Sequence, residues 1–235
     1  MAIPAQLKLR NTILARLPAR DLVALRSRIE RVSIRTGDIL QAAGEPARSI
    51  FFVESGIISL LAPLQEGGRI EIGHVGREGA AGVHAALGAE TLTSEVMAQS
   101  DGVVLRVKVA SVRSVMERSR LFRHGVIGFA NCLHAQVAQT AACNGTHDVV
   151  KRLARWLLMV HDRTDGDTLT LTHELISLML GVTRPGVTIA AGTLQKAGLI
   201  QYSRGSLTIV DRDGLEQASC ECYGIVADYY ASEIS

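Results

Sequence analysis

Hydrophobic positions change their spacing along this chain of 235 residues, and each change marks a different kind of element. Over residues 1–35, Leu7, Ile13, Leu14, Leu17, Leu22, Leu25 and Ile29 recur at mixed helical spacing, which predicts helix. From Gly37 to Lys108 the period shortens towards two and Gly, Pro and Asp breakers recur. GDILQAAGE, ARSIFFVESGIISLLA, GRIEIGHVG and DGVVLRVK read as short strands separated by turns. Evenly spaced strands of this kind predict a sandwich or barrel rather than an open parallel sheet.

From Val109 to Asn144 helical spacing returns, and residues 119–144 hold no proline. Phe122, Val126, Phe129, Leu133, Val137 and Thr140 form a stripe at intervals of three and four, suited to a neighbouring helix and taken as the dimer seam. The other side is small: Gly125, Gly128, Cys132, Ala135 and Ala142 permit close approach by a partner. The pattern does not decide between these two faces.

HDVVKRLARWLLMVHD, residues 147–162, predicts an amphipathic helix with Val150, Leu153, Leu157 and Val160 inward. A short strand follows in DGDTLTL. Two short helices come next, THELISLML and IAAGTLQKAGLI, separated by a sharp break at LGVTRPGVT. QYSRGSLTIVD reads as a hairpin turning at Arg204-Gly205, and DGLEQASCECYGIVADYYASEI as a terminal acidic helix.

The break has a local explanation. Gly181 can take the left-handed conformation that stops a helix, and Val182 plugs the turn. Thr183 or Arg184 caps the next helix, where Pro185 is tolerated in the first turn. Val187, Ala190, Ala191, Leu194 and Ala197 then face inward, while Arg184, Gly186, Thr188, Ile189, Gly192, Thr193 and Lys196 face out. Two helices joined this way make a helix-turn-helix, which reads base edges from the start of its second helix. Arg184 suits a guanine, Ile189 a thymine methyl, and Thr183 or Thr188 a phosphate or base. Thr172, at the start of the first helix, joins these as a contact residue.

Composition adds limits. The chain is 47% hydrophobic and 20% charged, with a net charge of +2, so any attraction to nucleic acid must be local. No acid lies between Leu175 and Val210, where Arg184, Lys196 and Arg204 stand. Residues 148–235 nonetheless carry eight basic and eleven acidic groups. That excess supports a competing reading, a protein-binding module without DNA. No apolar run reaches the ~18 residues of a membrane span. Four cysteines form no disulfide framework, which points to the cytoplasm. Residues 1–20 carry arginines and no acid, a trait of transit peptides, but an amphipathic helix on the first domain is the preferred reading.

Two stretches together resemble the Crp–Fnr family of bacterial transcription regulators: Gly37, Asp38, Leu40, Gly44 and Glu45, and the segment LGVTRPGVT…LQKAGLI. The resemblance covers nearly the whole chain and implies an α+β protein. Residues 1–118 would form a double-stranded β-helix (jelly-roll, cyclic-nucleotide-binding-like) domain, 119–147 a long dimerisation helix, and 148–235 a winged helix-turn-helix domain. The implied partners are a second copy, a near-palindromic duplex with half-sites about 34 Å apart, and RNA polymerase. Ser203, Arg204 and Ser206 match the wing. Family members commonly follow the arginine with glutamate and, four residues on, a second arginine; Pro185 and Ile189 stand there, so a different operator is expected.

The family's cyclic-nucleotide cassette supplies a Gly-Glu pair and an Arg-Ser pair. Here Ala81-Gly82 and Thr93-Ser94 replace them, and no Lys or Arg occurs between Arg77 and Arg106. Burying a phosphate without a cation is costly, so no tight cyclic AMP binding is expected. An iron–sulfur cluster needs about four thiolates, and the first 131 residues contain no cysteine. Cys220 and Cys222 form a C-x-C on the terminal helix, where they point apart, and are expected as surface or half-buried thiols. Haem stays open, with His74, His84, His124 and His134 as candidate ligands. No zinc spacing and no enzyme signature is present. The expected protein is therefore a regulator without catalysis, metal or predicted cofactor, and a haem- or redox-responsive regulator is the alternative.

Overall fold

The structure, a computed structural model, describes residues 9–234. Leu7, part of the expected first helix, lies outside them. The chain begins with two short helices, α1 (Thr12–Ala15) and α2 (Ala19–Arg26). The strands β1 (Ile29–Ile34), β2 (Ile39–Gln41), β3 (Ser49–Ser55), β4 (Ile58–Pro63), β5 (Arg69–Val75) and β6 (Ala80–Ala81) follow. A turn of helix, α3 (Val83–Ala86), leads to β7 (Glu95–Ala98) and β8 (Gly102–Lys108). Helical spacing at Ile29 is thus overruled: Ile29 and Ile34 are the buried ends of a strand hydrogen-bonded to β8.

The strands form two antiparallel four-stranded sheets, ordered β1-β8-β3-β6 and β2-β7-β4-β5. Their inner faces, including Ile50, Phe52, Ile58, Leu60, Val96 and Leu105, enclose the core of the sandwich. This is the β-sandwich that the alternating pattern predicts. β7 was missed because EVMA buries Val96, Met97 and Ala98 consecutively and so shows no alternation.

Helices α4 (Val109–Arg118) and α5 (Arg120–Thr146) are divided by Ser119, whose backbone is extended. The Ser119 hydroxyl accepts from Phe122 N and donates to Asp21 Oδ2 at 2.6 Å, capping α5 and pinning α2 to it. Helix α6 (Val149–His161) and β9 (Thr168–Thr170) come next. They precede α7 (His173–Leu180), α8 (Arg184–Lys196), β10 (Ile200–Ser203), β11 (Ser206–Ile209), α9 (Arg212–Ala218) and α10 (Cys222–Ile234). A second core, built on Leu153, Trp156, Leu157, Ile176, Val187, Leu194 and Leu207, holds this C-terminal unit together. The expected single terminal helix is two, broken at residues 219–221.

The long helix corrects the expected seam. Phe122, Val126, Phe129 and Leu133 are at most 1% exposed and belong to the sandwich core of their own chain, with Val137 and Thr140 half-buried behind them. Each such apolar side chain contributes about 1.5–3 kcal/mol by leaving water, so the stripe is not free for a partner. The small-residue face is partly covered as well: Gly128 and Cys132 are buried, Gly125 and Ala135 half-buried, and Ala142 exposed. α10 packs along α5, and a Cβ on Gly128 would lie 3.6 Å from Glu233 O. A third stripe is exposed along its whole length: Ile127, Asn131, His134, Ala138, Ala141 and Gly145.

No single helix among the described residues is long and apolar enough to cross a membrane; only α7 and α8, bent by 104°, pass such a test as a pair.

Candidate nucleic-acid interface and ligand cavity

The helix-turn-helix is built as its local sequence dictates. Thr172 caps α7 by accepting from Leu175 N at 3.1 Å. Gly181 ends that helix at φ 61°, with its Cα against Ile70 of β5, so an added side chain meets both strain and Ile70. Thr183 caps α8 by accepting from Gly186 N, and Pro185 sits in the first turn. Val187, Ala190, Ala191 and Leu194 are buried as expected. Ala197 is not: the helix has ended there, and it is exposed.

Outward, Arg184 is 66% exposed and Ile189 71%, with Thr188, Thr193 and Lys196 open beside them. The wing carries Ser203 opposite Ser206, and Arg204 and Gly205 turn it with φ of 49° and 81°. Gly205 lies next to Thr172, so the wing and the start of α7 meet. Thr172 and the wing, two of the parts assigned to DNA from sequence, therefore adjoin. The assigned residues differ in their chemistry. Arg184 Nη1 lies 3.4 Å from Glu174 Oε2, an acid just outside the acid-free stretch. The Thr188 hydroxyl donates to Arg184 O and accepts from His173 Nδ1 at 3.1 Å. His173 stacks on Tyr202, whose hydroxyl donates to Leu171 O. Burial, with the Arg184 charge behind it, holds His173 below its ordinary pKa. It thus favours the neutral form and adds no cation to the face.

Polar groups tie this unit to the β-sandwich. Trp156 Nε1 and Ser59 Oγ each donate at 2.6 Å to Glu71, a carboxylate 4% exposed, with His74 Nδ1 at 3.4 Å. Nearby, Arg163 Nε donates to Glu78 Oε1 at 2.7 Å, and the same guanidinium lies over the Tyr230 ring. Burial would raise the Glu78 pKa, but Arg163 and the Gly76 backbone N–H outweigh it and hold it low.

Inside the sandwich, against α5, is a cavity of about 310 Å³. Gly82, Thr93 and Ser94, the replacements for the family's two pairs, line it with His84, His134, Leu60, Leu133 and Val137. It holds no Lys, Arg, Asp or Glu among the described residues. Burial, and then His134, lower the His84 pKa, so no fixed cation faces the space. A cyclic nucleotide would bring a phosphate charge for which this lining offers no fixed cation. Of the other histidines considered as haem ligands, His74 is buried in the Glu71 joint and His124 is exposed.

A third site has no counterpart among the sequence expectations. Cys143 near the end of α5, His147 just beyond it, Cys220 before α10 and Cys222 at its start bring their ligand atoms within 4.8 Å of one another. The break before α10 turns Cys220 and Cys222 to the same point and buries both, at 5% and 1% exposure. That corrects the expected divergence of the two and their expected exposure. No spacing rule finds a set whose halves lie 77 residues apart.

Two family descriptions match the sequence: a cyclic nucleotide-binding domain over residues 31–119 and a Crp-like helix-turn-helix domain over 151–218. The chain belongs to the Crp–Fnr family. Crp–Fnr proteins are transcription regulators and not enzymes. Among solved structures, FixK2 from Bradyrhizobium japonicum is similar at 17% identity and a TM-score of 0.72, over 82% of this chain and 98% of that one. A CRP-family transcriptional regulator from Thermus thermophilus matches at 21% and 0.67, over 83% and 96%. The c-di-GMP-responsive global regulator CLP of Xanthomonas campestris matches at 15% and 0.66, over 82% and 99%. At these identities the likeness is one of fold. No curated protein matches the chain.

Proposed function

We propose that this Crp–Fnr regulator binds a near-palindromic duplex as a homodimer, reads it with the start of α8, and does so without cyclic AMP. Two observations support the reading: the exposed Arg184, Ile189, Lys196 and Ser203–Ser206 wing, and, separately, a cavity between the sandwich and α5 that offers no fixed cation. Arg184 leaves Glu174 and takes a base edge, with Ile189 against a thymine methyl. Gly186 lets the phosphate backbone come close, and Thr172, Thr188, Lys196, Ser203, Arg204 and Ser206 bind phosphates. The working division stays at 1–118, 119–147 and 148–235, and the protein acts in the cytoplasm. RNA polymerase is a further partner expected from the family.

For the dimer, the exposed stripe of α5 replaces the stripe first assigned. Ile127, Asn131, His134, Ala138, Ala141 and Gly145 alternate by four and three, the spacing of a coiled-coil seam, and the small Ala138, Ala141 and Gly145 favour close helices at its C-terminal half. His134 belongs to both this seam and the cavity wall, so a ligand there would touch the dimer contact directly.

The test is selection of duplexes from a random pool by purified protein, with and without cyclic AMP. A two-fold-symmetric motif, unchanged by the nucleotide, is expected. Arg184→Ala should then cost about 1–3 kcal/mol at one base pair per half-site and relax specificity there. Enrichment only with cyclic AMP would overturn the ligand reading. An equal loss on all sequences would make Arg184 a phosphate contact.

A further inference from the structure

We propose that Cys143, His147, Cys220 and Cys222 bind one zinc-class divalent ion, which clamps the winged helix-turn-helix unit at both its ends. The distances are those of ligands around a single ion. Cys143 Sγ and Cys220 Sγ are 3.5 Å apart, and Cys222 Sγ and His147 Nδ1 are 3.6 Å apart. A tetrahedral zinc ion sets sulfur–sulfur edges at about 3.8 Å and sulfur–nitrogen edges at about 3.5 Å. A disulfide would need ~2.05 Å. In an iron–sulfur cluster four protein ligands are divided among two or four irons, which spreads them wider than a single ion does. Three thiolates and an imidazole form a soft, closed donor set that suits zinc.

The surroundings are those of a supported site. His147 Nε2 lies 3.4 Å from Glu221 Oε2, so a carboxylate orients the ring while Nδ1 faces the sulfurs. Gln139 Nε2 donates to Cys222 Sγ at 3.1 Å. Arg155, 5% exposed, acts electrostatically on Cys143, and its Nε has no partner among the described residues. Three thiolates and a dication carry one net negative charge, which that guanidinium balances. The Arg155 Nη2 bond to Thr140 Oγ1 fixes it in place.

The location gives the ion its consequence. Cys143 and His147 lie where α5 passes into α6, through only two extended residues, His147 and Asp148. Cys220 and Cys222 lie where α9 passes into α10. Everything that forms the winged unit runs between them. An ion held by all four fixes the angle between the long helix and that unit.

The experiment is elemental analysis of the full-length protein, purified reduced without added metal, followed by removal of metal and titration with Co²⁺. Expected are one zinc per chain and, with Co²⁺, the intense visible bands of a tetrahedral ion with thiolate charge transfer. Cys222→Ala should lose stoichiometric zinc, and Cys132→Ala, which alters a cysteine outside the set, should keep it. Glu221→Gln should weaken Co²⁺ binding ~10-fold, the usual result of removing the carboxylate that orients a metal-bound imidazole. Should Cys222→Ala fail to fold, the wild-type metal content and Co²⁺ spectrum still decide. A metal-free protein giving only weak octahedral Co²⁺ bands would overturn the proposal. So would a Cys143–Cys220 disulfide in the isolated protein, or the absorption and labile sulfide of an iron–sulfur cluster.

Discussion

Two of the fastenings between the DNA-binding unit and the rest of the chain are made of opposite materials. At the β-sandwich, Glu71 takes hydrogen bonds from Trp156 and Ser59, and Glu78 pairs with Arg163. Both carboxylates there meet donors from the chain itself, so their charges are answered within it. At the end of α5, three sulfurs and an imidazole face one another. All four are ligands, and a set of ligands is completed by a cation rather than by itself. The first joint answers to pH and side-chain chemistry, and the second to metal supply and redox state. One unit can thus be held by two fastenings that respond to different conditions.

Breaking the first joint at its ion pair should have the largest effect. Glu78→Gln leaves the Arg163 charge buried without its counter-ion and should cost about 3 kcal/mol at neutral pH. The pH dependence gives the sign. Glu78 is held below its ordinary pKa, so its contribution is whole above the unfolded carboxylate value and fades as pH falls through the lowered folded one. Denaturant unfolding across the acid range should show that loss in the wild type and a shallower one in Glu78→Gln; parallel curves would mean the pair is not what the acid breaks. Trp156→Phe removes one donor from a buried carboxylate and should cost about 1–3 kcal/mol, read as a lower denaturant midpoint at constant slope. The smallest expected number sharpens the comparison most. If the two joints are separate, removing zinc should destabilise wild type and Trp156→Phe equally, to within about 0.5 kcal/mol. A larger discrepancy would mean that the joints act as one.

What the sequence made legible follows the range of the forces involved. The helix-turn-helix could be read residue by residue, because Thr172, Gly181, Thr183 and Pro185 act on backbone within a few positions of themselves. Strands with alternating burial were legible too, while β7, buried on consecutive residues, was not. Periodicity found the stripe Phe122–Leu133 but not its partner, since a helix face looks the same whether it meets a sandwich or another copy. The cysteine–histidine set was invisible because it depends on a break at 219–221 and on α10 returning to α5. Glu174 shows the same limit at short range: it lies outside the acid-free stretch in sequence and beside Arg184 in space.

Gly79 and Phe129 carry a consequence for how this protein can change over generations. A Cβ on Gly79 would fall 1.9 Å from the Phe129 ring, so the backbone there and the ring on α5 share one volume. Neither position can drift alone: a larger residue at 79 is admissible only in a lineage that has already trimmed 129, and the trimmed intermediate carries a cavity. The two are linked further, because Gly79 has Glu78 as its neighbour and Gly82, at the cavity wall, three positions on. A variant that retunes the cavity through this loop therefore inherits constraints from the long helix and from the DNA-binding unit. New ligand preferences should be found more readily at Thr93 and Ser94, which line the same cavity from outside this loop.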